Sequence, residues 1–355
     1  MSLRIQLNIP RKDFAINVSL SVTSGQITSI FGPSGCGKTS VMRAIAGLEN
    51  KATGHIQMAD EVWQKADYFR PPHQRDIGYV FQDASLFPHL NVYDNLQFGL
   101  RRQAKEKRRV SLEQAIELLA LSPLLKRSID KLSGGEKQRV AIARAVATSP
   151  SVLLFDEPLA AVDIAHKQEI LRYIQSLHRE LDIPMLYVSH AIEEVARLSD
   201  NLVLLEKGQQ LASGKTVDLL SQLSLPLAHY EEAAAMLDTY VTGRDEQYGL
   251  NLLAFADSHL QVSHGSLKQG DKVRLRIMAR DVSLTLQRHE SSSILNIFPA
   301  VIESMANEGP AQKLVRLNAG GQIILSRITA KSADQLALVP GMTVFAQVKA
   351  VSLMV

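Results

Sequence analysis

A short run near the N-terminus has the residue types and spacing that bind the phosphates of a nucleotide. It consists of Gly32, Pro33, Ser34, Gly35, Cys36, Gly37, Lys38 and Thr39, and it fits the pattern G-x-x-x-x-G-K-[ST]. The glycines let backbone N–H groups curl around a β-phosphate, and a helix beginning at Lys38 would point the positive end of its dipole at the same anion. Lys38 should reach the β- and γ-phosphates, while the Thr39 hydroxyl should hold Mg²⁺. We therefore predict a nucleoside triphosphate and Mg²⁺ as ligands, with Ser40 completing the binding segment.

Two adjacent carboxylates follow a wholly apolar segment in the middle of the chain. Residues 152–155 read Val-Leu-Leu-Phe and are followed by Asp156 and Glu157. Continuous apolar character is typical of a strand buried on both faces of a parallel sheet. We expect Asp156 to bind Mg²⁺, directly or through water, and Glu157 to act as the general base that polarises the attacking water.

Two more polar residues end segments that are predicted to be buried strands. Gln82 follows residues 75–81, and His190 follows residues 184–189. Open α/β sheets bind ligands at the carboxyl ends of their strands, which favours a functional role over a merely structural one. Gln82 is expected to contact Mg²⁺ or the attacking water, and His190 is expected to sense the γ-phosphate and to assist Glu157 in catalysis.

A second candidate anion site lies at Ser133, Gly134, Gly135 and Glu136, just before a predicted helix over residues 140–145. A serine and two glycines at a helix start offer free N–H donors to an anion. One phosphate loop already holds one nucleotide. A second helix start that cannot reach that nucleotide within its own subunit would be useful across a dimer interface.

The elements before the phosphate loop are predicted to be two antiparallel strands over residues 3–21, joined at residues 10–13, because apolar residues alternate on both sides. Phe14 is a candidate for stacking on an adenine ring. An ordinary core position in the alternating strand explains Phe14 equally well.

Composition narrows the class of protein. A chain of 355 residues with 46% hydrophobic and 21% charged residues suits a globular protein of two domains. The net charge of +3 gives no reason to expect nucleic acid as a partner. The single cysteine, Cys36, suits a reducing cytoplasm. The first residues predict a strand rather than a signal peptide, and no apolar run is long enough to span a membrane. The basic run 101–109 is interpreted as a solvated helix end or loop, with a contact to anionic lipid or nucleic acid as the alternative.

These motifs, in this order, resemble the ATP-binding subunits of ABC transporters, with the resemblance covering residues 1–225. It implies an α/β P-loop ATPase domain with a RecA-like core and a helical subdomain at about 86–149. It also implies a head-to-tail homodimer that sandwiches two ATP molecules, each between the phosphate loop of one subunit and the Ser133 loop of the other. Gln82 would then couple to transmembrane permease subunits, and Asp163 would match the aspartate of the D-loop. Residues 160–163 read Ala-Ala-Val-Asp where the family usually has Ser-Ala-Leu-Asp, so one hydroxyl is lost.

The last third of the chain has a different character. Residues 219–238 are rich in leucine and alanine and predict a helix, residues 226–248 are expected to form a linker, and residues 249–355 predict a small OB-like β-barrel of short strands. This part resembles the MOP/TOBE-type, molybdate-binding barrel of molybdate importer ATPases at residues 279–284, 293–297 and 347–353.

That resemblance implies an oxyanion site formed by Ser293, Ser326, Lys349 and the N–H of Ala350. Leu295 departs from it, because an arginine or another polar residue is often found there. A barrel that binds nothing and is structural or regulatory is the alternative.

The whole chain is thus expected to be the ATP-hydrolysing subunit of a molybdate importer. It would lie at the cytoplasmic face of the inner membrane as a peripheral protein, bound to the permease and only indirectly to a periplasmic or surface binding protein. Other cargoes (tungstate, sulfate, iron or a sugar) are alternatives. A further alternative is a soluble ABC ATPase without a transport role. This alternative is disfavoured because the barrel lacks a strip of basic and aromatic residues that would bind nucleic acid.

Overall fold

The computed structural model describes residues 1–101, 109–256, 258–263, 265, 267–289, 291–349 and 351–354. The chain divides into two compact units, Met1–Gly214 and Lys215–Val355. The division falls before the boundary at residue 225 that the sequence suggests. One reason is that Arg316 of the second unit donates a hydrogen bond of 2.7 Å to the carbonyl oxygen of Ser221, which holds this segment to the second unit.

The first unit contains both strands and helices. Its strands are β1 (Ser2–Pro10), β2 (Ala15–Thr23), β3 (Ile27–Phe31), β4 (Thr53–Met58), β5 (Glu61–Lys65), β6 (Tyr68–Phe69), β7 (Ile77–Val80), β8 (Val152–Asp156), β9 (Met185–Ser189), β10 (Asn201–Glu206) and β11 (Gln209–Lys215). Its helices are α1 (Lys38–Ile45), α2 (Val92–Leu100), α3 (Leu112–Leu118), α4 (Gly134–Ala147), α5 (Ile164–Glu180) and α6 (Ile192–Leu198). Lys215, the last residue of β11, is the first residue of the second unit.

These strands form one eleven-stranded sheet in the order β6-β5-β4-β1-β2-β11-β10-β3-β9-β8-β7. The run β10-β3-β9-β8-β7 is parallel, and every residue of β3, β8 and β9 is buried. This confirms the prediction made from the continuous apolar runs. The strands β1 and β2 pair antiparallel and alternate buried with exposed residues, as their sequence pattern predicted.

The region between β7 and β8 is largely helical. Asn91, Ser111 and Ser133 each cap a helix, because each side chain accepts a hydrogen bond from a backbone N–H in the first turn. The helices α2, α3 and α4 share one hydrophobic cluster with α5. Most of the basic run that the sequence singled out, residues 102–108, lies outside the described residues.

The second unit is mainly β-structure. Its strands are β12 (Ala234–Asp245), β13 (Leu250–Phe255), β14 (Ser258–Val262), β15 (Lys272–Met278), β16 (Val282–Thr285), β17 (Asn296–Glu308), β18 (Gln312–Ala319), β19 (Gln322–Thr329), β20 (Thr343–Val348) and β21 (Ser352–Leu353). Its short helices are α7 (Thr216–Leu220) and α8 (Ala330–Gln335). The strands form two five-stranded sheets, β14-β13-β12-β15-β21 and β16-β20-β17-β18-β19.

The segment expected to be a linker contributes a strand to the first of these sheets. The strand β12 pairs with both β13 and β15. The predicted helix over residues 219–238 is therefore wrong beyond Leu220, where α7 ends. Ala234 and Ala235 are buried in β12, where pairing with β15 outweighs the helix propensity of alanine, which is a small free energy per residue. None of the described helices in either unit is long and apolar enough to cross a membrane.

Candidate nucleotide site

Strand order brings the predicted site residues together at the carboxyl ends of neighbouring strands in the large sheet. The strands β3, β9, β8 and β7 are adjacent and parallel, so their carboxyl ends lie together. The phosphate loop follows β3, Asp156 ends β8, and His190 follows β9. Gln82 lies two residues beyond the end of β7 and is exposed. The sheet thus collects at one end the groups that the sequence could only place on separate strands.

Two glycines of the loop are required by close approaches. A Cβ at Gly32 would lie 2.0 Å from the carbonyl oxygen of Leu205, and one at Gly37 would lie 2.6 Å from Cδ1 of Ile16. Gly37 also has a φ of 110°, which disfavours other residues, and it caps α1 without a side-chain hydrogen bond. The first N–H groups of α1 therefore remain available to an anion.

The Lys38 side chain lies over this loop. Its exposed fraction is only 4%, and its Nζ donates hydrogen bonds to the carbonyl oxygens of Gly32 at 2.9 Å and Pro33 at 3.1 Å. The same Nζ is 3.5 Å from Oε1 of Glu157. The cation thus stands between the phosphate loop and the predicted general base.

Asp156 accepts a hydrogen bond on each carboxylate oxygen. The Thr39 hydroxyl donates to Oδ1 at 3.0 Å, and the Tyr79 hydroxyl donates to Oδ2 at 2.8 Å. Burial raises the pKa of Asp156 above its ordinary value, and the two hydrogen bonds act in the opposite direction. Tyr79 was not identified as a site residue from the sequence. Its position on the strand that leads to Gln82 could have identified it.

The Thr39 hydroxyl and the Asp156 carboxylate are suitable ligands for a magnesium ion. A hydroxyl and a carboxylate are hard oxygen donors, and Mg²⁺ is usually bound by only one or two protein carboxylates together with substrate phosphates. Among the described residues no group of three or more His, Cys, Asp or Glu side chains forms a metal cage.

Glu157 and His190 are in direct contact. Nδ1 of His190 is 3.0 Å from Oε2 of Glu157, whose other oxygen faces Lys38. The Glu157 backbone has a φ of 46°, in the left-handed region that a non-glycine residue rarely adopts. Its N–H donates to the carbonyl oxygen of Val188 at 3.0 Å, which fastens the turn to the neighbouring strand.

The second candidate anion site begins α4 with a capping box. The Ser133 hydroxyl accepts a hydrogen bond from the N–H of Glu136 at 3.2 Å, and the Glu136 carboxylate accepts one from the N–H of Ser133 at 2.8 Å. The latter bond lowers the pKa of Glu136. Glu136 also lies 3.6 Å from Arg127, so its side chain is engaged within the subunit.

Gly134 and Gly135 lie close to the start of α5. A Cβ on Gly135 would come within 3.0 Å of the His166 side chain, and one on Gly134 within 3.5 Å of the carbonyl oxygen of Ala161. Asp163 caps α5 by accepting a hydrogen bond from the N–H of His166. Gly135 thus allows a close approach between α4 and the start of α5, whereas the space at Gly134 would accommodate a Cβ.

Two other predicted ligand residues have partners of their own. Phe14 is half-buried against the core of the first unit, and a Cβ on Gly208 would lie 2.6 Å from its ring. This contact supports the core interpretation of Phe14. Ser40 accepts a hydrogen bond of 2.7 Å from Arg11, which is also paired with Glu49.

The predicted oxyanion ligands are only partly brought together. Ser326 is fully buried, and its hydroxyl donates to the carbonyl oxygen of Val282 at 2.6 Å. The N–H of Lys349 donates to the adjacent carbonyl, that of Asp281, at 2.9 Å. Ser293 lies on an exposed loop, and Ala350 lies outside the described residues. The Ser326 bond joins the two outer strands of its sheet, β19 and β16, so this hydroxyl closes the barrel.

Comparison with known proteins adds to this geometry. Residues 16–160 match the ABC transporter family, and residues 292–355 match the TOBE domain. The chain is 50% identical over its full length to the molybdenum import ATP-binding protein ModC of Pseudomonas syringae pv. tomato, covering 99% of that protein. It is 49% identical over 99% of its length to the protein of the same name from Albidiferax ferrireducens, covering 96% of it.

Solved structures match the first part of the chain. One is cbiO1 of Clostridium perfringens, part of the ABC transporter complex cbiONQ, at 25% identity and a TM-score of 0.55, covering 62% of this chain and 90% of that one. Another is an ATP-binding cassette in a dimeric, post-hydrolysis state bound to ADP and Pi, at 27% identity and a TM-score of 0.50, covering 61% of this chain and 99% of that one.

Proposed function

The chain belongs to the family of molybdenum import ATP-binding proteins, and from this premise we propose that it is the ATP-hydrolysing subunit of a molybdate importer. The observation that carries the catalytic part is the contact of Glu157 with His190 on one side and Lys38 on the other. The proposed general base Glu157, His190 and the phosphate-binding cation of Lys38 thus form one small cluster at the carboxyl ends of the parallel strands.

The residues act on ATP in the following way. The loop amides and Lys38 bind the β- and γ-phosphates, and Glu157 orients a water molecule and accepts its proton as the water oxygen attacks the γ-phosphorus. The bond from that phosphorus to the bridging oxygen breaks, and ADP and inorganic phosphate are the products. His190 bonds to Glu157 and holds its carboxylate in place, while Lys38 stabilises the negative charge that spreads over the transferred group.

Thr39 and Asp156 would hold Mg²⁺, with Gln82 as a further candidate ligand. When bound, the ion neutralises charge on the phosphate oxygens. The Thr39 and Tyr79 hydroxyls keep both oxygens of the Asp156 carboxylate oriented.

We propose a head-to-tail dimer in which Ser133, Gly134 and Gly135 of one subunit meet the nucleotide bound by the other. In this proposal the Ser133 hydroxyl and the N–H groups at the start of α4 are the donors to the γ-phosphate. A solved structure similar to the first unit is dimeric and bound to ADP and Pi, which supports the dimer itself. ATP closes such a dimer only if it binds the closed state more tightly than the open one.

The permease that the proposed subunit drives is a separate membrane protein, and the subunit is peripheral on its cytoplasmic side. Cargo identity rests on the named relatives. For the barrel of the second unit we propose oxyanion binding around Lys349 and Ser293, with Ser326 serving the barrel itself.

Labelled molybdate uptake tests this function. Cells that lack the gene are complemented with the intact gene, with Glu157→Gln, or with Glu180→Gln, which changes an exposed carboxylate at the end of α5. Uptake restored by the intact gene and by Glu180→Gln but not by Glu157→Gln, and resistant to excess sulfate, is the expected result. Uptake that none of these genes changes would overturn the molybdate assignment, and uptake competed away by sulfate would point to that anion as cargo.

A further inference from the structure

Glu194 is a buried carboxylate that none of the steps above uses. Its exposed fraction is 6%, and its Oε2 accepts hydrogen bonds from the Tyr187 hydroxyl at 2.8 Å and the Ser189 hydroxyl at 2.7 Å. Nζ of Lys167 lies 3.9 Å from Oε1. A charge taken out of water is costly unless hydrogen bonds and a counter-charge compensate for it. A buried carboxylate of this kind is retained where it holds its hydrogen-bond partners in position.

The partners of Glu194 surround the residue next to the general base. Ser189 directly precedes His190, and Ala191 directly follows His190. The hydroxyl oxygen of Ser189 also accepts a hydrogen bond of 3.0 Å from the N–H of Ala191. Ala191 caps α6 and offers no side-chain acceptor of its own. The Ser189 hydroxyl therefore fixes the backbone on both sides of His190, and Glu194 fixes that hydroxyl.

We infer that Glu194 is a positioning residue that, through Ser189, holds His190 against Glu157. The His190 side chain is 53% exposed, so packing alone does not orient it. The geometry that matters is the 3.0 Å contact between His190 and Glu157. A loop free to shift by about 1 Å would lose this contact and with it a large part of the rate.

The two hydroxyls that bind Glu194 make a matched pair. Both donate to the same oxygen, but only Ser189 is bonded to the backbone beside His190. Tyr187 lies inside β9, fully buried, with its ring 6.0 Å from that of Phe155. Removing the Tyr187 hydroxyl weakens the same cluster without releasing the loop.

The test compares Glu194→Gln, Ser189→Ala, Tyr187→Phe and the exposed control Glu180→Gln in the full-length chain. For each we would measure kcat, the KM for ATP and the thermal midpoint. We expect Glu194→Gln and Ser189→Ala to lower kcat by at least about tenfold with the KM within about twofold. Tyr187→Phe should lower the thermal midpoint as Ser189→Ala does, yet keep its kcat, and Glu180→Gln should change neither.

The inference rests on the role proposed for His190, so His190→Ala is made alone and together with Glu194→Gln. If Glu194 acts through His190, the double variant will be no slower than His190→Ala alone. Additive losses, or a wild-type kcat in Glu194→Gln, would overturn the inference and leave the His190 role standing. A wild-type kcat in His190→Ala would overturn both. Equal kcat losses in Tyr187→Phe and Ser189→Ala would show that Glu194 serves only the fold.

Discussion

The hydroxyl of Tyr79 lies 2.8 Å from Oδ2 of Asp156, the carboxylate oxygen that Thr39 does not use. Tyr79 sits on β7, three residues before Gln82, and its ring stacks on that of Phe81 at 4.1 Å. The strand that leads to one candidate magnesium ligand therefore also orients another.

Tyr79→Phe should weaken metal binding while leaving the fold intact, because it removes one hydroxyl and keeps the ring. Loss of an outer-shell partner typically lowers metal affinity by about tenfold or more. Mn²⁺ binding in the presence of ADP, followed by electron paramagnetic resonance, would measure this directly. Tyr173→Phe is the matched control, since the Tyr173 hydroxyl donates to Glu169 on the surface of α5. Equal Mn²⁺ affinity in the two variants would contradict the role of Tyr79.

Asp156→Asn should stabilise the protein at neutral pH in the absence of nucleotide and divalent ions. Burial raises the pKa of Asp156. Over the interval between its ordinary and raised values the folded protein keeps a proton that the unfolded chain has released, so the free energy of unfolding falls as pH rises. Asparagine escapes this loss, and we expect a gain on the order of 1 kcal/mol at pH 7 that vanishes below the ordinary range of aspartate.

Denaturant unfolding at several pH values would measure that gain, with the exposed Asp67→Asn as control. ATP hydrolysis should be lost in Asp156→Asn. A variant less stable than the parent at pH 7 would mean that the bonds from Thr39 and Tyr79 outweigh the burial of the charge.

Two substitutions at Ser133 separate its two roles. Ser133→Ala removes the cap of α4 and should cost about 1 kcal/mol of stability as well as activity. Ser133→Asp keeps a good capping side chain but places a negative charge where a γ-phosphate of the partner's nucleotide would bind. It should retain the thermal midpoint and lose ATP hydrolysis. Full activity in Ser133→Asp would argue against the proposed cross-dimer contact.

Ser326→Ala should destabilise the second unit. It leaves the carbonyl oxygen of Val282 without its buried donor, at a cost of about 1 to 2 kcal/mol. Thermal unfolding followed by calorimetry would report this, with Ser293→Ala as control because Ser293 is exposed. ATP hydrolysis should be unchanged in both variants. Equal stability of Ser326→Ala and the parent would remove the barrel-closing role.

The sequence was most informative where a local rule dictates structure. Glycine spacing predicted the phosphate loop, and continuous apolar runs predicted β8 and β9 together with the acids and the histidine at their ends. The contact between the Tyr79 hydroxyl and Asp156 escaped because it depends on the pairing of β7 with β8, which periodicity does not contain.

The second unit was harder to predict for a similar reason. Alanine and leucine over residues 219–238 favour a helix locally, whereas β12 forms there by pairing with distant strands. Ser326 was assigned to an oxyanion site by resemblance, and only the tertiary structure shows its hydroxyl bonded to β16.

Because of the left-handed backbone at Glu157, selection for stability and selection for ATP hydrolysis favour different residues at this position. Glycine, asparagine and aspartate tolerate this conformation better than glutamate, by roughly 1 kcal/mol or more for glycine. A library randomised at this position and screened for solubility would be enriched in those three residues, whereas a screen for growth on scarce cargo would keep glutamate. A duplicated copy released from the need to hydrolyse ATP would therefore be expected to drift at position 157 early, and its loss of activity would be accompanied by a gain in stability.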